Sequence, residues 1–396
     1  MKKIDALHRG EPLMDLKAME SKERGRVDII NLSLSARIII NVEALNMAES
    51  VGNYTRHRKA PVVIRTETGY SIVYVPVMSA EALANAYQRL LAQIASARGL
   101  PVTKMDLEGY FMKFSDNNII KAYYIDDLAK ILNISNKDPN SLIEALKNKR
   151  PGEVEKLILK SSVVADVGGF LYTDMLLKRT SAIRFAYLTP AIDAVEAGAA
   201  SVSPQMHVRY TPEAREREQA IYYLEGGSSL YVLTAQLLVS DIGRTFYTPE
   251  PDKDLEAQRP RRIDAAIDAL IALADGLLFG AKRSRYMPQW LVRSMAVSVS
   301  KGIVEFNVSP GVTSDYIART CERASHLADS ITDLEIDIYA FSEETSDVEK
   351  CINYENQSNK RMRFKEADSH TEALALAKKK IHEYLGSTAK REGSGR

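Results

Sequence analysis

Residues 35–44, SARIIINVEA, alternate polar and apolar side chains with a period of two. Apolar residues occupy the even positions, and Ser35, Arg37, Asn41 and Glu43 occupy four of the odd ones. Successive side chains of a strand point to opposite faces of a sheet, so this alternation predicts a strand with an apolar inner face. The other face is predicted to be polar and to point outward. The chain is therefore expected to build a sheet that is buried on one side.

Strand and helix patterns alternate along the rest of the chain. Residues 61–77 contain two β-rich runs around Glu67, Thr68 and Gly69, which predicts a hairpin. A helix is predicted from Ser79, a suitable N-cap, to Gly99, because apolar residues recur between them at helical spacing. Further strands are predicted at 162–172, 302–309 and 333–341. Further helices are predicted at 125–134, 151–160, 262–276, 314–329 and 370–385.

This order of elements predicts an α+β fold with one antiparallel sheet, helices on one of its faces and long insertions. The core is expected to span residues 27–386. A charged extension, residues 1–26, precedes it, and a disordered tail, residues 387–396, follows it. Insertions are predicted near 48–76 (a basic loop and hairpin), 100–160 (a helical lobe) and 195–225 (a projecting hairpin).

The composition limits the classes of partner. The 396 residues carry a formal net charge of +1, so any anion-binding surface must arise from segregated charge. No run approaches the roughly 18 apolar residues of a membrane span. The two cysteines, Cys321 and Cys351, are too few for a disulfide framework or a zinc cage. These features predict a cytoplasmic protein in a reducing compartment, without membrane attachment, metal or cofactor.

Basic side chains are concentrated in a few short segments. Residues 52–61, GNYTRHRKAP, place Arg56, His57, Arg58 and Lys59 side by side between a glycine and a proline. Such a cluster alone is more typical of a solvated surface. Similar clusters recur, however, and their recurrence favours an electropositive path for a polyanion. They comprise Lys178, Arg179 and Arg184; Arg259, Arg261 and Arg262; and Lys282, Arg283 and Arg285.

The projecting hairpin is predicted where residues 205–210, QMHVRY, alternate in polarity before the polar segment 211–219. His207 beside Arg209 is a candidate general base next to a phosphate clamp. A lone histidine without a second catalytic acid is more typical of a hydrogen-bonding or stacking role. The sequence contains no P-loop, metalloprotease or serine-hydrolase motif, and the glycine pair in 166–172, DVGGFLY, lacks dinucleotide-binding spacing.

Six segments, taken in order, resemble one family. They are SARIIINVEALNMAESVGNYTRHRKAPVV, VPVMSAEALANAYQ, DVGGFLY, KRTSAIRFAYLTPA, QMHVRYT and FGAKRSRYMP. Together they resemble the CRISPR-associated DevR-type autoregulator family, in particular the archaeal-type backbone subunits of type I-A Cascade complexes. The resemblance covers roughly residues 30–310.

The resemblance implies an RRM-like (ferredoxin-like) antiparallel core with an inserted helical lobe and a thumb-like β-hairpin around His207. It implies that the polar face of the first strand, the basic loop and the start of the first helix contact CRISPR RNA through its backbone. Met206 is implied as a wedge between nucleotides. The residues expected to bind RNA are Arg37, Asn41, Asn53, Thr55, Arg56, His57, Arg58, Lys59, Ser79, Lys178, Arg179, His207, Arg209, Lys282, Arg283 and Arg285.

The function implied by the resemblance is that of a non-catalytic RNA-binding scaffold. Copies of the chain are expected to polymerise along CRISPR RNA, together with other Cascade subunits, and to present the guide for pairing with invading DNA. The alternative is a metal-independent endoribonuclease that processes repeat RNA. In that reading His207 is the general base, and Arg209 or Lys178 stabilises the phosphorane.

Overall fold

Ten strands form one mixed sheet in the described part of the chain. The computed structural model describes residues 28–43, 46–135, 138–209, 220–248, 250–276, 289–344, 348–357 and 361–393. The strands of the chain are β1 (Ile29–Glu43), β2 (Met47–Val51), β3 (Tyr54–His57), β4 (Lys59–Thr66), β5 (Gly69–Pro76), β6 (Phe170–Tyr172), β7 (Leu177–Arg179), β8 (Ile183–Phe185), β9 (Thr189–Pro190), β10 (Ala200–Arg209), β11 (Ala220–Leu238), β12 (Gln289–Gly302), β13 (Glu335–Ser342) and β14 (Met362–Glu366). The helices are α1 (Ala80–Ala97), α2 (Lys104–Glu108), α3 (Asn117–Tyr123), α4 (Ile125–Leu132), α5 (Pro139–Lys147), α6 (Pro151–Ser161), α7 (Val163–Gly168), α8 (Ile192–Glu196), α9 (Lys253–Asp275), α10 (Tyr316–Ser330), α11 (Val348–Gln357) and α12 (His370–Gly393).

Strand β1 lies at the centre of the large sheet, whose order is β14-β13-β12-β1-β11-β3-β2. It pairs antiparallel with β11 and β12, and Ala36 lies opposite Leu233 on one side and Met295 on the other. Strands β8, β9 and β10 also pair with β11, while β4–β5 and β6–β7 form separate two-stranded sheets. Two pairs, β13–β14 and β11–β3, are parallel. The α+β prediction is therefore confirmed, but the sheet is mixed rather than antiparallel throughout.

The apolar face of β1 belongs to the main hydrophobic core, as its alternation predicts. Leu34 and Ile38 are fully buried and pack with side chains of α1, α9 and α12. Helix α1 begins at the predicted N-cap, where the Ser79 hydroxyl accepts a hydrogen bond from the backbone N–H of Ala82. Gly99, with a left-handed φ of +64°, follows its C-terminal end. The predicted hairpin is also confirmed as β4–β5.

The polar face of β1 is buried as well, which corrects the prediction that it points outward. The segment 306–311 covers it, and the Ser33 and Ser35 hydroxyls accept hydrogen bonds from the backbone N–H groups of Val308 (3.2 Å) and Gly311 (2.9 Å). Side chains of α10 and α11 build a second core on this side. Helices therefore cover both faces of the sheet rather than one.

Three local predictions differ from the structure. Residues 163–168, predicted as strand, form helix α7 with Ser162 as N-cap. Residues 303–309, also predicted as strand, lie outside regular structure, because β12 already ends at Gly302. The basic segment 259–262 lies within helix α9, which includes Pro260 and begins at Lys253 rather than at the predicted residue 262. In each case the secondary structure depends on packing against distant parts of the chain, which a local sequence pattern does not contain.

Helices α2 to α6 lie where the helical lobe was predicted, and several of them share a separate apolar core. Beside it lies a fully buried ionic network, in which Arg179 binds Glu155 and Asp166, and Arg262 also binds Asp166. Both carboxylates additionally accept hydrogen bonds from backbone N–H groups within residues 243–247. The network thus joins α6, α7, β7 and α9 through charge-assisted hydrogen bonds.

Helices α10 and α11 are connected by a disulfide bond between Cys321 and Cys351, both fully buried. One bridge is not the framework that the sequence excludes. A disulfide bond is, however, unusual in the reducing compartment that the sequence predicts, because thiols stay reduced there.

The ends of the chain differ in how far the structure describes them. The predicted extension, residues 1–26, lies outside the described residues. Helix α12 runs to Gly393, into the segment predicted as a disordered tail. Among the described helices, none combines the length and the apolar character that crossing a membrane requires.

Candidate nucleic-acid interface

The basic loop of the sequence folds into the short strands β2 and β3 at one edge of the large sheet. Gly52 makes the turn between them with a φ of +61°. Strand β3 then pairs parallel with β11, which places Tyr54 opposite Tyr223. A pocket of about 600 Å³ opens here. Its lining is Ala48, Glu49, Tyr54, Arg56, His57, Arg58, Lys59 and Glu225.

The carboxylate of Glu225 organises the pocket from below. It accepts hydrogen bonds from the Tyr54 hydroxyl (3.0 Å) and from the backbone N–H of His57 (2.8 Å), and it lies 4.0 Å from the ammonium group of Lys59. The hydrogen bond to Glu225 raises the pKa of the Tyr54 hydroxyl. Because Glu225 is buried and engaged by these groups, the accessible charges of the pocket are those of Arg56, Arg58 and Lys59 and of one exposed carboxylate, Glu49.

Arg58 is held in place by Asn46. Its Nε donates to the side-chain oxygen of Asn46 (2.7 Å), and its backbone N–H donates to the Asn46 carbonyl (2.7 Å). The same side-chain oxygen accepts from the backbone N–H of Ser79 (3.3 Å), while the Ser79 hydroxyl caps helix α1. Asn46 therefore fixes the direction of the Arg58 guanidinium. Ser79 supports the loop and the helix start rather than presenting a free hydroxyl.

Arg56 is the most open cation of the pocket. Its guanidinium lies 3.2 Å from Glu49, and both side chains are more than half exposed (54% and 57%). An exposed ion pair of this kind contributes little to the free energy of folding, on the order of 0–1 kcal/mol. Arg56 can therefore exchange Glu49 for a phosphate group at small cost.

His57 is buried, with 2% of its surface exposed. Its Nδ1 lies 2.9 Å from the carbonyl oxygen of Arg58, so Nδ1 donates, and Nε2 has no hydrogen-bond partner in the described part of the chain. Burial lowers the pKa of the imidazole. The structure thus places His57 beneath the basic surface, which corrects the prediction of a direct contact.

Acidification is expected to destabilise the protein through His57. Burial holds its folded-state pKa below the ordinary 6.5, so the unfolded chain binds this proton more tightly. The contribution of His57 to stability is complete above pH 6.5 and declines as the pH falls from there through the lowered folded pKa. An asparagine retains a donor for the Arg58 carbonyl but does not titrate. Denaturant unfolding of wild type and His57→Asn at pH 7 and pH 5 should show the larger loss in wild type, and equal losses would contradict this account.

Two arginines expected to bind RNA are buried elsewhere. Arg37, 3% exposed, binds Asp193 (2.9 Å) and Glu344 (2.9 Å) and donates to the Gly311 carbonyl. Arg179 belongs to the fully buried ionic network. The structure therefore corrects the prediction that these two guanidinium groups face a ligand, because protein acceptors surround them.

The remaining candidates on the described surface are polar and accessible. The Asn53 side chain donates to the Ile221 carbonyl (3.0 Å), and the Thr55 and Ser50 hydroxyls lie 3.2 Å apart, so both candidates lie beside the pocket, Asn53 on the turn between β2 and β3 and Thr55 within β3. Asn41 is exposed near the end of β1. Lys178 is exposed on β7, in a separate small sheet, and does not line the pocket.

The predicted projecting hairpin is formed by β10 and β11. The ring of His207 stacks on Tyr222, with centroids 5.2 Å apart and an interplanar angle of 25°. Met206 is 60% exposed. The tip, residues 210–219, and the Arg209 side chain lie outside the described part of the chain. Lys282, Arg283 and Arg285 also lie outside the described residues.

Sequence reasoning missed the two residues that organise the pocket, Glu225 and Asn46. Glu225 lies 168 residues after His57 in the chain, and no spacing pattern connects them. Asn46 lies 12 residues before Arg58, and no sequence pattern connects the two residues. A single buried carboxylate beneath a basic loop gives no sequence signal, because the pairing of β3 with β11 creates the contact.

Comparisons with known proteins agree with one another. The family model described as "CRISPR-associated negative auto-regulator DevR/Csa2" matches residues 34–321. The CRISPR-associated aCascade subunit Cas7/Csa2 2 of Saccharolobus solfataricus is 38% identical over 296 residues, which are 74% of this chain and 86% of that protein. Cas7/Csa2 1 of the same organism is 35% identical over 72% of this chain and 82% of its own length.

A chain of a "CRISPR RNA-guided surveillance complex, pre-nicking" aligns with a TM-score of 0.44 and 10% identity, covering 89% of this chain and 99% of the other. The family assignment depends on the sequence relatives and on the family model, which spans most of the chain. The protein is a member of the CRISPR-associated DevR/Csa2 family.

Proposed function

We propose that this protein is a non-catalytic backbone subunit of a Cascade-type complex and binds CRISPR RNA through the basic pocket at the β2–β3 edge. Relatives named as Cas7/Csa2 proteins, one of them as an aCascade subunit, support the assignment. Within the proposal, β1, β11, β12 and β13 with α1 and α10 correspond to the RRM-like core. The hairpin β10–β11 corresponds to the thumb.

The observation that carries this proposal is the composition of the pocket. Arg56, Arg58 and Lys59 converge on it, while the buried Glu225 is engaged by Tyr54 and the loop backbone. Guanidinium and ammonium groups on an open surface bind phosphate without regard to base identity. A guide must vary in sequence, so a subunit that carries it needs this kind of contact.

The proposed partners follow from the same assignment. They are CRISPR RNA, further copies of the chain in a helical oligomer, other Cascade subunits, and target DNA by way of the guide. The proposed location is the cytoplasm, where the buried Cys321–Cys351 bridge would be an exception to the rarity of disulfides. Self-assembly along RNA would place equivalent pockets at regular intervals, which suits contacts to a repeating backbone.

Replacing the two most open cations is expected to weaken RNA binding through electrostatics alone. For single strands, each lost phosphate contact lowers the slope of log affinity against log salt by about 0.7. An Arg56→Gln/Lys59→Gln variant should therefore lose about 1.4 in slope and bind several unrelated RNA sequences less tightly by similar factors. Fluorescence anisotropy across a salt series measures both quantities.

A matched variant tests whether position matters. Lys130→Gln/Lys147→Gln removes the same charge from exposed sites on α4 and α5. Its slope should stay close to that of wild type. Equal effects of the two double variants would show that net charge, not the pocket, governs binding. Absence of RNA binding by the wild-type protein at low salt would refute the proposed function.

The nuclease alternative is tested separately. Because the His207 ring stacks on Tyr222, the structure supports a stacking role for this residue. Repeat RNA incubated with the wild-type protein should remain intact. A discrete product that appears with wild type and disappears with His207→Ala would overturn the non-catalytic assignment.

A further inference from the structure

The hairpin β4–β5 presents an exposed face that the basic pocket does not account for. Residues directly opposite in the register share a face of the sheet. One face therefore combines Lys59, Pro61, Val63 and Arg65 of β4 with Tyr70, Ile72, Tyr74 and Pro76 of β5. Its large side chains are highly exposed, with Tyr70 at 80%, Tyr74 at 71%, Ile72 at 62% and Val63 at 55%.

The opposite face of the hairpin is covered near its base and becomes exposed toward its tip, at Thr66 and Ser71. Val75, near the end of β5, is buried, and Val62 and Val73 are half-buried. The backbone N–H of Arg65 donates to Glu196 of helix α8 (3.0 Å), which fastens the hairpin to the body. A two-stranded sheet is only marginally stable without such support. The aromatic face is thus turned to solvent by the fold itself.

This face combines cations at its two ends with two aromatic rings, separated by the aliphatic pair Val63 and Ile72. Lys59 lies at its base and Arg65 at its outer end, where it pairs with Tyr70 in the register. The two tyrosines lie four residues apart on one strand, a separation of about 13 Å. Sequence-tolerant sites for single-stranded nucleic acid combine cations for the backbone with rings on which bases stack.

The face is also continuous with the proposed RNA site. Lys59 lines the pocket and begins β4, so its ammonium group belongs to both surfaces. A strand leaving the pocket along the hairpin would meet Tyr74 first and Tyr70 and Arg65 further out, in the order of the register.

We infer that the Lys59–Tyr74–Tyr70–Arg65 face of the hairpin binds single-stranded nucleic acid by stacking two bases on its tyrosines. The inference rests on the proposed function and extends it, because the pocket grips phosphate whereas this face holds bases. Stacking uses the π-face that every base has, so it tolerates any sequence. The occupant is a segment continuous with the RNA in the pocket.

The test replaces the rings without changing charge. A Tyr70→Leu/Tyr74→Leu variant retains apolar side chains but cannot stack, and it should bind a mixed-sequence single-stranded RNA at least about fivefold more weakly for each ring. Its salt slope should equal that of wild type, since no cation is removed. Tyr70→Phe/Tyr74→Phe retains both rings and should restore the affinity. Tyr110→Leu/Tyr123→Leu, two exposed tyrosines of the helical region, should behave like wild type.

A second reporter keeps the inference testable if the leucine variant folds poorly. The Tyr74→Trp variant retains a stacking ring, and the fluorescence that it adds to that of Trp290 should be quenched when a single-stranded oligouridine probe binds, with wild type as the reference. Unquenched fluorescence on a saturated complex would overturn the inference.

The other outcomes separate this inference from the proposed function. Full RNA affinity in the leucine variant overturns the inference and leaves the pocket assignment intact. If sedimentation of the RNA-free protein shows that Tyr70→Ala/Tyr74→Ala abolishes self-association while Tyr70→Leu/Tyr74→Leu does not, the face holds a second copy of the chain, and the inference also fails. Loss of RNA binding by Arg56→Gln/Lys59→Gln with its expected slope supports the proposed function in either case.

Discussion

An Asp166→Ala variant is expected to lose about 3–5 kcal/mol of unfolding free energy, because it leaves two buried arginines without their shared carboxylate. Asp166 lies 2.6 Å from Arg179 and 2.9 Å from Arg262, and the side chains of all three are fully buried. Its carboxylate also accepts the backbone N–H of Gly243. Arg179 would retain only Glu155 as an ionic partner. The uncompensated charge of Arg262, rather than the lost contact itself, makes the change costly.

Chemical denaturation of wild type and variant at neutral pH measures this loss. Asp254→Ala is the matched control, since Asp254 pairs with Lys160 on the surface and is 74% exposed. Removing that carboxylate should cost no more than about 1 kcal/mol. If the two variants lost similar amounts, the buried network would not have the role assigned here. The midpoint, not the denaturant slope, should change if the native fold persists.

Removal of the Cys321–Cys351 disulfide is expected to cost about 3.5 kcal/mol, from the loop entropy of a cross-link that spans 30 residues. The bridge fastens α10 to α11 over the second core, where both cysteines are fully buried. The unfolded chain therefore gains conformational freedom when the bridge is absent, while the folded core changes little. Cys321→Ala/Cys351→Ala should show this loss in denaturant unfolding.

Reductant provides the control for this prediction. Wild-type protein unfolded in the presence of excess dithiol should approach the stability of the double variant, apart from the small packing difference between thiol and methyl groups. The double variant itself should not respond to reductant. Wild type that is equally stable with and without reductant would show that the bridge contributes nothing.

Much of the architecture could be predicted from local patterns. The alternation around Ile38 predicted strand β1. The Ser79 cap and Gly99 predicted the two ends of helix α1, and the turn at Gly69 predicted the hairpin. These signals are local, because strand period, helix capping and turn geometry each depend on residues close together in the chain. The same reading failed at 163–168, where four apolar residues in helix α7 resemble a short buried strand.

The candidate site was predictable only in part. The cluster at 56–59 identified the basic surface, and the resemblance to the DevR family indicated RNA as its ligand. Nothing local distinguished Arg56, which is open, from Arg37 and Arg179, which are buried against carboxylates. An arginine has the same side chain in both settings, and only its partners decide its role.

The sequence by itself determined the class of the fold, its family and the position of its most basic loop, because periodicity, capping and motif order are properties of neighbouring residues. The tertiary structure alone decided which cations reach solvent. It brought Glu225 beneath the loop by pairing β3 with β11, and it closed the polar face of β1 with the segment 306–311. Contacts between residues far apart in the chain set burial, and burial decides whether a charged group binds a ligand or holds the protein together.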